Sequence, residues 1–453
     1  MEKKPEITVA QMMCARDKRA ERQRRLLEKW QASLCCLTLN IAGPVKSAPW
    51  IDEVFEEGTS LAEAQFRRLG MKVLAREQVL AVTGNEMYWV VDAPVLTVKR
   101  AMVRIEEANP FGRLLDLDVL ARVGEKAERE EIGAESRRCL LCEERAVICA
   151  RSRTHSYEEL FSTARATANR YFQGKQADRI AGLAVQSLLH ELLITPKPGL
   201  VDRENCGSHE DMDCFLFASS AAALIPYFRA CVLEGMCFSS AEPKTVFPRL
   251  KYLGMEAEED MLRMTAGVNT HKGAIFSIGL LCAGAGRLWV QKKPPLAEEI
   301  CQMAALMAGD ALRADLQKID QTTAKTAGER IYAKIGLGGA RGEAAAGFPS
   351  VLQKGLPALE KALAEGASLN EAGIYALLAL MSVTEDTNVI RRGSLKQQQE
   401  VACQAAELLQ EQPVSLEAVR MFDRHLISRR LSPGGAADLL AATLFLHSLR
   451  PIY

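Results

Sequence analysis

The sequence lacks any excess of charge: Lys+Arg and Asp+Glu each number 57 in 453 residues. A neutral chain has no global field that draws nucleic acid or an anionic membrane, so a polyanion must be held by local groups. It also lacks a long uncharged apolar run. The longest, 214–228 and 273–286, fall short of the about 18 residues of a membrane span and are expected to be buried helices. The first residues, MEKK, continue polar without the apolar stretch and small-residue cleavage site of a secretory signal. Thirteen cysteines are scattered along the chain, an odd number that points to reduced thiols and a cytoplasmic protein rather than a disulfide scaffold. Gly 31 and Pro 17 are ordinary, which excludes collagen-like and low-complexity chains, and no fixed-period repeat suggests a solenoid.

What is present is 48% hydrophobic residues, enough for sizeable cores, in a length that suggests about three domains at roughly 150 residues each or two larger ones. Two textures divide the chain. The first part alternates a charged amphipathic helix (9–32), a β-rich apolar strand (33–41), a second strand (87–93), a helical period (95–108) and a third strand (114–120). From about residue 156 strand patterns nearly vanish. Helices are expected over 157–193, 211–236, 256–290, 297–318, 351–365, 369–382, 395–411, 414–428 and 433–448. The boundary, near 155–180, has no Pro/Gly linker.

In the first part, GRLLDLDV (112–119) sets Asp116 and Asp118 two residues apart. On a strand both carboxylates share a face, while Leu115 and Leu117 point to the core. Such a pair suits Mg²⁺ held against phosphate oxygens, and a solvated acidic edge is the competing account. Arg113 has the opposite parity and reaches a phosphate only by curling over the strand end. Cys139, Cys142, Cys149 and His155 form C-x2-C-x6-C-x5-H, enough ligands for a closed tetrahedral zinc site, although packed thiols explain them too.

In the helical part, TPKPGLVD (195–202) fixes Lys197 between two prolines ahead of a permissive glycine. His209, Asp211 and Asp213 follow at spacing two, suited either to a metal or to capping a helix. GVNTHKG (267–273) brings Asn269, His271 and Lys272 to the start of an uncharged helix, where an anion is favoured. The glycine-rich segment 336–349, with Arg341 and Glu343, is expected to be a loop, and without a preceding strand it is neither a Walker nor a Rossmann motif. EDTNVIRRGS (385–394) adds Asp386, Asn388, Arg391 and Arg392, and SPGGAADLLA (432–441) reads as an ordinary helix start.

Taken in order, TPKPGLVD, the N-x-G-x-H-x-D-M-D segment beginning at Asn205, GVNTHKGAIFS, the glycine-rich loop, DTN and SPGGAADLLA resemble the triphosphoribosyl-dephospho-CoA synthases over almost all of 176–453. IAGPVK (41–46), N-P-x-G-R-L-x-D-x-D-V (109–119) and RRCLLCEE through CARSRTHS (137–156) resemble holo-citrate lyase synthase over most of 1–170. The resemblance implies a multidomain fusion: an α+β, nucleotidyltransferase-like transferase domain (1–175) followed by an all-helical synthase domain (176–453). It further implies that ATP and 3'-dephospho-CoA give 2'-(5''-triphosphoribosyl)-3'-dephospho-CoA and adenine. The phosphoribosyl-dephospho-CoA group then passes to a serine of the apo-citrate lyase acyl carrier (gamma) subunit, with release of pyrophosphate.

On this reading Glu191 or His209 is the base, and Asp211, Asp213 and Asp386 hold Mg²⁺. Lys197, Lys272 and Arg391 neutralise the triphosphate, and Asn205, Asn269, His271, Arg341 and Asn388 bind nucleotide. In the transferase, Asp116 and Asp118 bridge Mg²⁺ to phosphate with Arg113 and Lys46 nearby. The competing readings are the same pathway serving malonate decarboxylase, and a noncatalytic nucleotide-binding protein.

Overall fold

The structure is a computed structural model and describes residues 6–122, 125–142, 144–290, 295–411 and 413–450. The chain divides into two compact units, Met1–Phe172 and Gln173–Tyr453. The first is α+β and the second almost entirely helical.

The first unit is a five-stranded antiparallel sheet of order β2-β3-β1-β4-β5. Its strands are β1 (Ser33–Leu39), β2 (Lys72–Val79), β3 (Glu86–Asp92), β4 (Leu115–Arg122) and β5 (Glu125–Lys126). Strand β1 lies at the centre, and the two-residue side-chain period sorts its neighbours by face. Cys35 and Leu37, with Trp89 and Leu117, pack under helices α2 (Pro49–Arg68) and α3 (Val95–Glu107). Leu34 and Cys36, with Tyr88, Val90 and Leu120, pack under α1 (Val9–Trp30) through Leu26 and Leu27. Helix α1 starts where expected because Thr8 and Gln11 form a reciprocal capping box. A short α4 (Ala146–Ser152) precedes α5 (Tyr157–Leu193), whose Ala164 and Ala168 belong to this core while Ala177 to Leu188 belong to that of the second unit. The expectation omitted α2 and β2; β2 is an edge strand with mostly exposed positions, so its apolar alternation is weak.

In the second unit the expected 211–236 helix breaks at Leu224 into α6 (Cys214–Ala223) and α7 (Ile225–Cys237), where Pro226 sits inside the new helix start. Together the two, Cys214–Cys237, are long and apolar enough to cross a membrane by length and composition alone. Its α7 half buries Phe228, Cys231 and Val232 in the core. The expected 256–290 helix is likewise two, α8 (Phe247–Met264) and α9 (Lys272–Trp289), parted by a turn with Ala266 and Gly267 at positive φ. Helices α10 (Ala297–Gln317) and α11 (Ala327–Ile335) follow. The glycine-rich "loop" contains a helix, α12 (Gly339–Ala345). A wide π-turn at Val351–Gly355 leads into α13 (Leu356–Ala364), then α14 (Leu369–Met381) and α15 (Thr387–Arg392). Helices α16 (Leu395–Gln410), α17 (Leu416–Ser428) and α18 (Gly434–Ser448) complete the unit.

Helix α9 is buried almost all round because glycines admit its neighbours. A Cβ on Gly235 of α7 would stand 2.0 Å from the Ala283 carbonyl oxygen, and one on Gly286 would stand 2.2 Å from that of Val232. Replacing Gly235 by Val should therefore separate α7 from α9 and cost about 1–3 kcal/mol or more. An unchanged urea midpoint for the helical unit would contradict this packing.

Candidate active sites

The helical unit contains a cavity of about 500 Å³. The starts of α9 and α18 face it, placing two helix N-termini and their unsatisfied N–H groups around one space. Of the expected residues, Glu191, Lys197, His209, Asn269, His271, Lys272, Asp386, Asn388 and Arg391 line it. Asn205, Asp211, Asp213 and Arg341 do not.

Lys197 is 1% exposed, and its Nζ donates to Glu191 Oε1. Burial pushes the Glu191 carboxyl up and the Lys197 ammonium pulls it back. The Lys197 segment is pinned by two further buried acids. Asp202 accepts from the backbone N–H of Lys197, Glu204 and Asn205, and Asp423 accepts from the Gly199 N–H and Asn205 Nδ2. Asn205 thus braces the loop and does not reach the cavity. A Cβ at Gly199 would meet the Leu431 carbonyl oxygen at 2.4 Å, which explains the glycine after KP.

Asp438, read from sequence as an ordinary helix-start residue, is partly buried and lines the cavity. Burial, with Glu191 and Asp386 nearby, holds its carboxyl well above the usual range, although the Ala274 N–H opposes this. A Cβ on Gly273 would overlap Asp438 Oδ2 at 1.8 Å. The glycine of HKG is therefore the space into which this carboxyl fits, a signal available to sequence reading only as an unexplained glycine.

His271 is buried, and burial lowers its pKa to about 3, so it is neutral. Thr270 Oγ1 donates to Ser220 Oγ at 2.7 Å, and Ser220 lies 2.8 Å from His271 Nδ1. With the Ser220 hydroxyl donating to Nδ1, the ring would carry its proton on Nε2. Neither His271 Nε2 nor Ser277 Oγ, both lining the cavity, has a hydrogen-bond partner among the described residues. Two orphaned polar atoms in one cavity call for a polar ligand. Arg391 likewise has no ion-pair partner among the described residues, while Lys272 pairs with Glu258 at 2.7 Å on the rim.

Other expected roles change. His209 Nδ1 receives Arg392 Nη2 at 3.1 Å, and its Nε2 lies 2.9 Å from Ser432 Oγ. Burial and Arg392 lower its pKa, so it is a neutral imidazole with both nitrogens engaged, poorly disposed to act as base. Asp213 caps α6 through the Leu216 N–H, and Asp386 caps two helices by accepting from Asn388, Val389 and Ala436 N–H. Asp211 is exposed, so of the three expected metal ligands only Asp386 lines the cavity. Arg341 pairs with Glu329 at 3.2 Å outside the cavity.

In the first unit, Asp116 and Asp118 share the α1 face of β4, opposite Thr38 and Cys36 of β1. Asp116 lines a cavity of about 480 Å³ with Lys46 and with Arg16 and Arg19 of α1, two arginines that sequence reading left within an amphipathic helix. Burial lowers the Lys46 pKa, with Arg16 adding repulsion. Burial and then Asp116 raise that of Asp118, against Lys126 at 2.6 Å. Arg113 turns away: its guanidinium donates to the Arg138 and Cys139 carbonyls, because it lies on a 3-10 turn (Pro110–Leu114) just before the strand. Arg137, one of the arginines beside the cysteines, reaches Asp116 Oδ1 at 3.4 Å while also bonded to Glu106 and the Leu115 carbonyl. Separately, the ligand atoms of Cys139, Cys142, Cys149 and His155 lie within 4.8 Å of one another, a cluster that fits a metal ion.

Residues 177–453 match the ATP:dephospho-CoA triphosphoribosyl transferase family, and residues 7–171 the apo-citrate lyase phosphoribosyl-dephospho-CoA transferase family. The chain is 35% identical to Protein CitXG of Haemophilus influenzae and 32% identical to Protein CitXG of Leuconostoc mesenteroides, in each case over 98% of this chain and 97% of the relative. Its helical part is 42% identical to the 2-(5''-triphosphoribosyl)-3'-dephosphocoenzyme-A synthase of Escherichia fergusonii, over 60% of this chain and 91% of that protein. A two-unit architecture with a separate polar cavity in each unit, matched along both halves, means that the chain belongs to the bifunctional family of citrate lyase prosthetic-group biosynthesis, joining an apo-citrate lyase phosphoribosyl-dephospho-CoA transferase to an ATP:dephospho-CoA triphosphoribosyl transferase.

Proposed function

We propose that the helical unit, assigned to 176–453, breaks the bond between adenine and the ATP ribose and joins that ribose to the 2'-hydroxyl of 3'-dephospho-CoA. The observation that carries the mechanism is a pair of acids in one cavity with unlike surroundings: Glu191 held against Lys197, and Asp438 desolvated without a cation. Two carboxyls whose environments separate their protonation states suit paired acid and base roles. Glu191, whose carboxylate form Lys197 stabilises against the effect of burial, accepts the proton of the attacking 2'-hydroxyl. Asp438, whose carboxyl burial holds well above the usual range, gives its proton to the departing adenine, so the proton count balances across the step. Arg391, Lys272 and the N-termini of α9 and α18 hold the triphosphate, and the His271 Nε2–H and Ser277 hydroxyl supply donors to the nucleotide. His209, bonded on both nitrogens, positions Arg392 and Ser432. Asn269 and Asn388 remain binding assignments supported by their place on the cavity wall.

The first unit, assigned to 1–175, transfers the phosphoribosyl-dephospho-CoA group to a serine of the citrate lyase acyl carrier (gamma) subunit, with pyrophosphate leaving. Asp116 and Asp118 fit Mg²⁺, since Asp116 already raises the pKa of Asp118 and a shared cation would relieve that repulsion. The ion would supply charge neutralisation on the phosphates. Lys46, Arg16 and Arg19 line the cavity where the phosphates would bind, and Arg137 flanks Asp116. The match of the first unit to the citrate lyase transferases favours this carrier over that of malonate decarboxylase.

Glu191→Gln and Asp438→Asn should each lower the rate of adenine release from ATP about 10²- to 10⁴-fold with ATP binding retained. A rate within twofold of wild type for either variant would remove it from the mechanism. Asp438 also makes a stability prediction. Its folded pKa is raised, so the folded chain keeps a proton that the unfolded chain loses above about pH 3.9, and its contribution to stability declines as pH rises towards the folded pKa. Asp438→Asn should accordingly melt higher than wild type, by a margin that grows as the pH rises above about 3.9; a margin independent of pH would show an ordinary carboxyl. In the transferase, Asp116→Asn with Asp118→Asn should abolish pyrophosphate release and carrier labelling and leave adenine release intact. Carrier labelling with unchanged Mg²⁺ dependence would rule out the metal assignment.

A further inference from the structure

We propose that Cys139, Cys142, Cys149 and His155 bind one Zn²⁺ ion that closes the 137–155 segment, the turn that Arg113 grips, and so positions Arg137 at the transferase site. Cys142 Sγ lies 3.4 Å from Cys149 Sγ and 3.3 Å from His155 Nε2. A tetrahedral zinc with Zn–S near 2.3 Å and Zn–N near 2.0–2.1 Å has S–S edges of about 3.8 Å and N–S edges of about 3.6 Å. Both edges at Cys142 are near that spacing, all four ligand atoms lie within 4.8 Å of one another, and 3.4 Å is far longer than a disulfide bond.

The backbone around the cluster is shaped for a metal. The Cys139 N–H donates to the Glu144 carbonyl and the Ala146 N–H to the Arg137 carbonyl, so the C-x2-C pair sits in a tight turn. The Leu141 N–H points at Cys139 Sγ at 3.5 Å, as a donor to a thiolate does. Cys149 comes from α4 and His155 from the turn after it, where the Thr154 N–H returns to the Cys149 carbonyl. Apolar packing does not account for this arrangement. Leu141, Val147 and Ile148 are exposed, so the thiols are gathered in a segment with little core of its own. Small units of that kind need a staple. Three thiols and an imidazole are a zinc donor set, and four protein ligands leave no open position, which makes the ion structural.

The segment's use lies in what its backbone holds. The carbonyls of Arg138 and of the ligand Cys139 itself accept the Arg113 guanidinium. Arg137, two residues before the first ligand, spans Glu106, the Leu115 carbonyl and Asp116. The arginine of GRLLDLDV therefore acts as a positioning residue, tying the strand that bears Asp116 and Asp118 to the zinc-closed turn. This second step rests on the transferase reading above; the metal site does not.

The test uses the intact chain, purified without chelator. Elemental analysis should find one zinc per chain, and exchange with Co²⁺ should produce a thiolate-to-cobalt charge-transfer band. Cys142→Ser and Cys149→Ser should lose the ion and the band, and pyrophosphate release should fall roughly 10- to 100-fold while adenine release is unchanged. Cys149→His, which keeps four ligands, should restore both zinc and transfer. Absence of zinc together with absence of the cobalt band overturns the site. Zinc loss with unaltered pyrophosphate release overturns the positioning role. If wild type carries zinc but labels no carrier, the transferase reading fails and the metal site stands.

Discussion

The ion pair between Lys197 and Glu191 is the most deeply buried one among the described residues of the helical unit. Taking two charges out of water costs several kcal/mol per ion, repaid only by close geometry and complete hydrogen bonding around them. The surrounding acids divide accordingly. Asp202, Asp386 and Asp423 spend their oxygens mainly on backbone N–H groups and so fix the loops that carry Lys197 and the α15 and α18 starts. Glu191 and Asp438 are left facing the cavity, one with a cation and one without. Rigid backbone around an unlike pair of carboxyls is what acid and base chemistry at a glycosidic carbon needs.

Glycine makes that arrangement sterically possible. Gly273 yields the volume that the Asp438 carboxyl occupies, and Gly434 and Gly435 let the α18 start approach Asn388 and Asp386. Motifs far apart in sequence, HKG, DTN and SPGG, are thus complementary surfaces of one cavity. In the first unit the same economy appears on a strand: alternate residues of β4 bury leucines and present aspartates. Both cavities pair cations with carboxyls, which is how a chain with no net charge can handle polyanions.

Much of this was legible in sequence. The strand parity of Asp116 and Asp118, the span of α5 and the division between an α+β and a helical part follow from periodicity, because burial on one face imposes a repeat on the side chains. Elsewhere a local rule had two outcomes. Asp213 and Asp386 fit metal binding and helix capping equally well until the N–H groups they meet are known. His209 looked like a base because sequence cannot reveal that both nitrogens are bonded. The glycine-rich 336–349 segment was expected to be a loop, yet its alanines support α12.

By itself the sequence determined the secondary-structure texture, the order of motifs and the family, since these depend on residues close in the chain or on their succession. Tertiary structure alone decided which acid is paired and which is desolvated, that Arg113 grips a neighbouring turn while Arg137 reaches Asp116, and that Arg16 and Arg19 line a cavity. The reason is physical: a side chain's charge state and partner depend on atoms brought near it by folding. Those atoms come from positions tens to hundreds of residues away, where no local pattern records them.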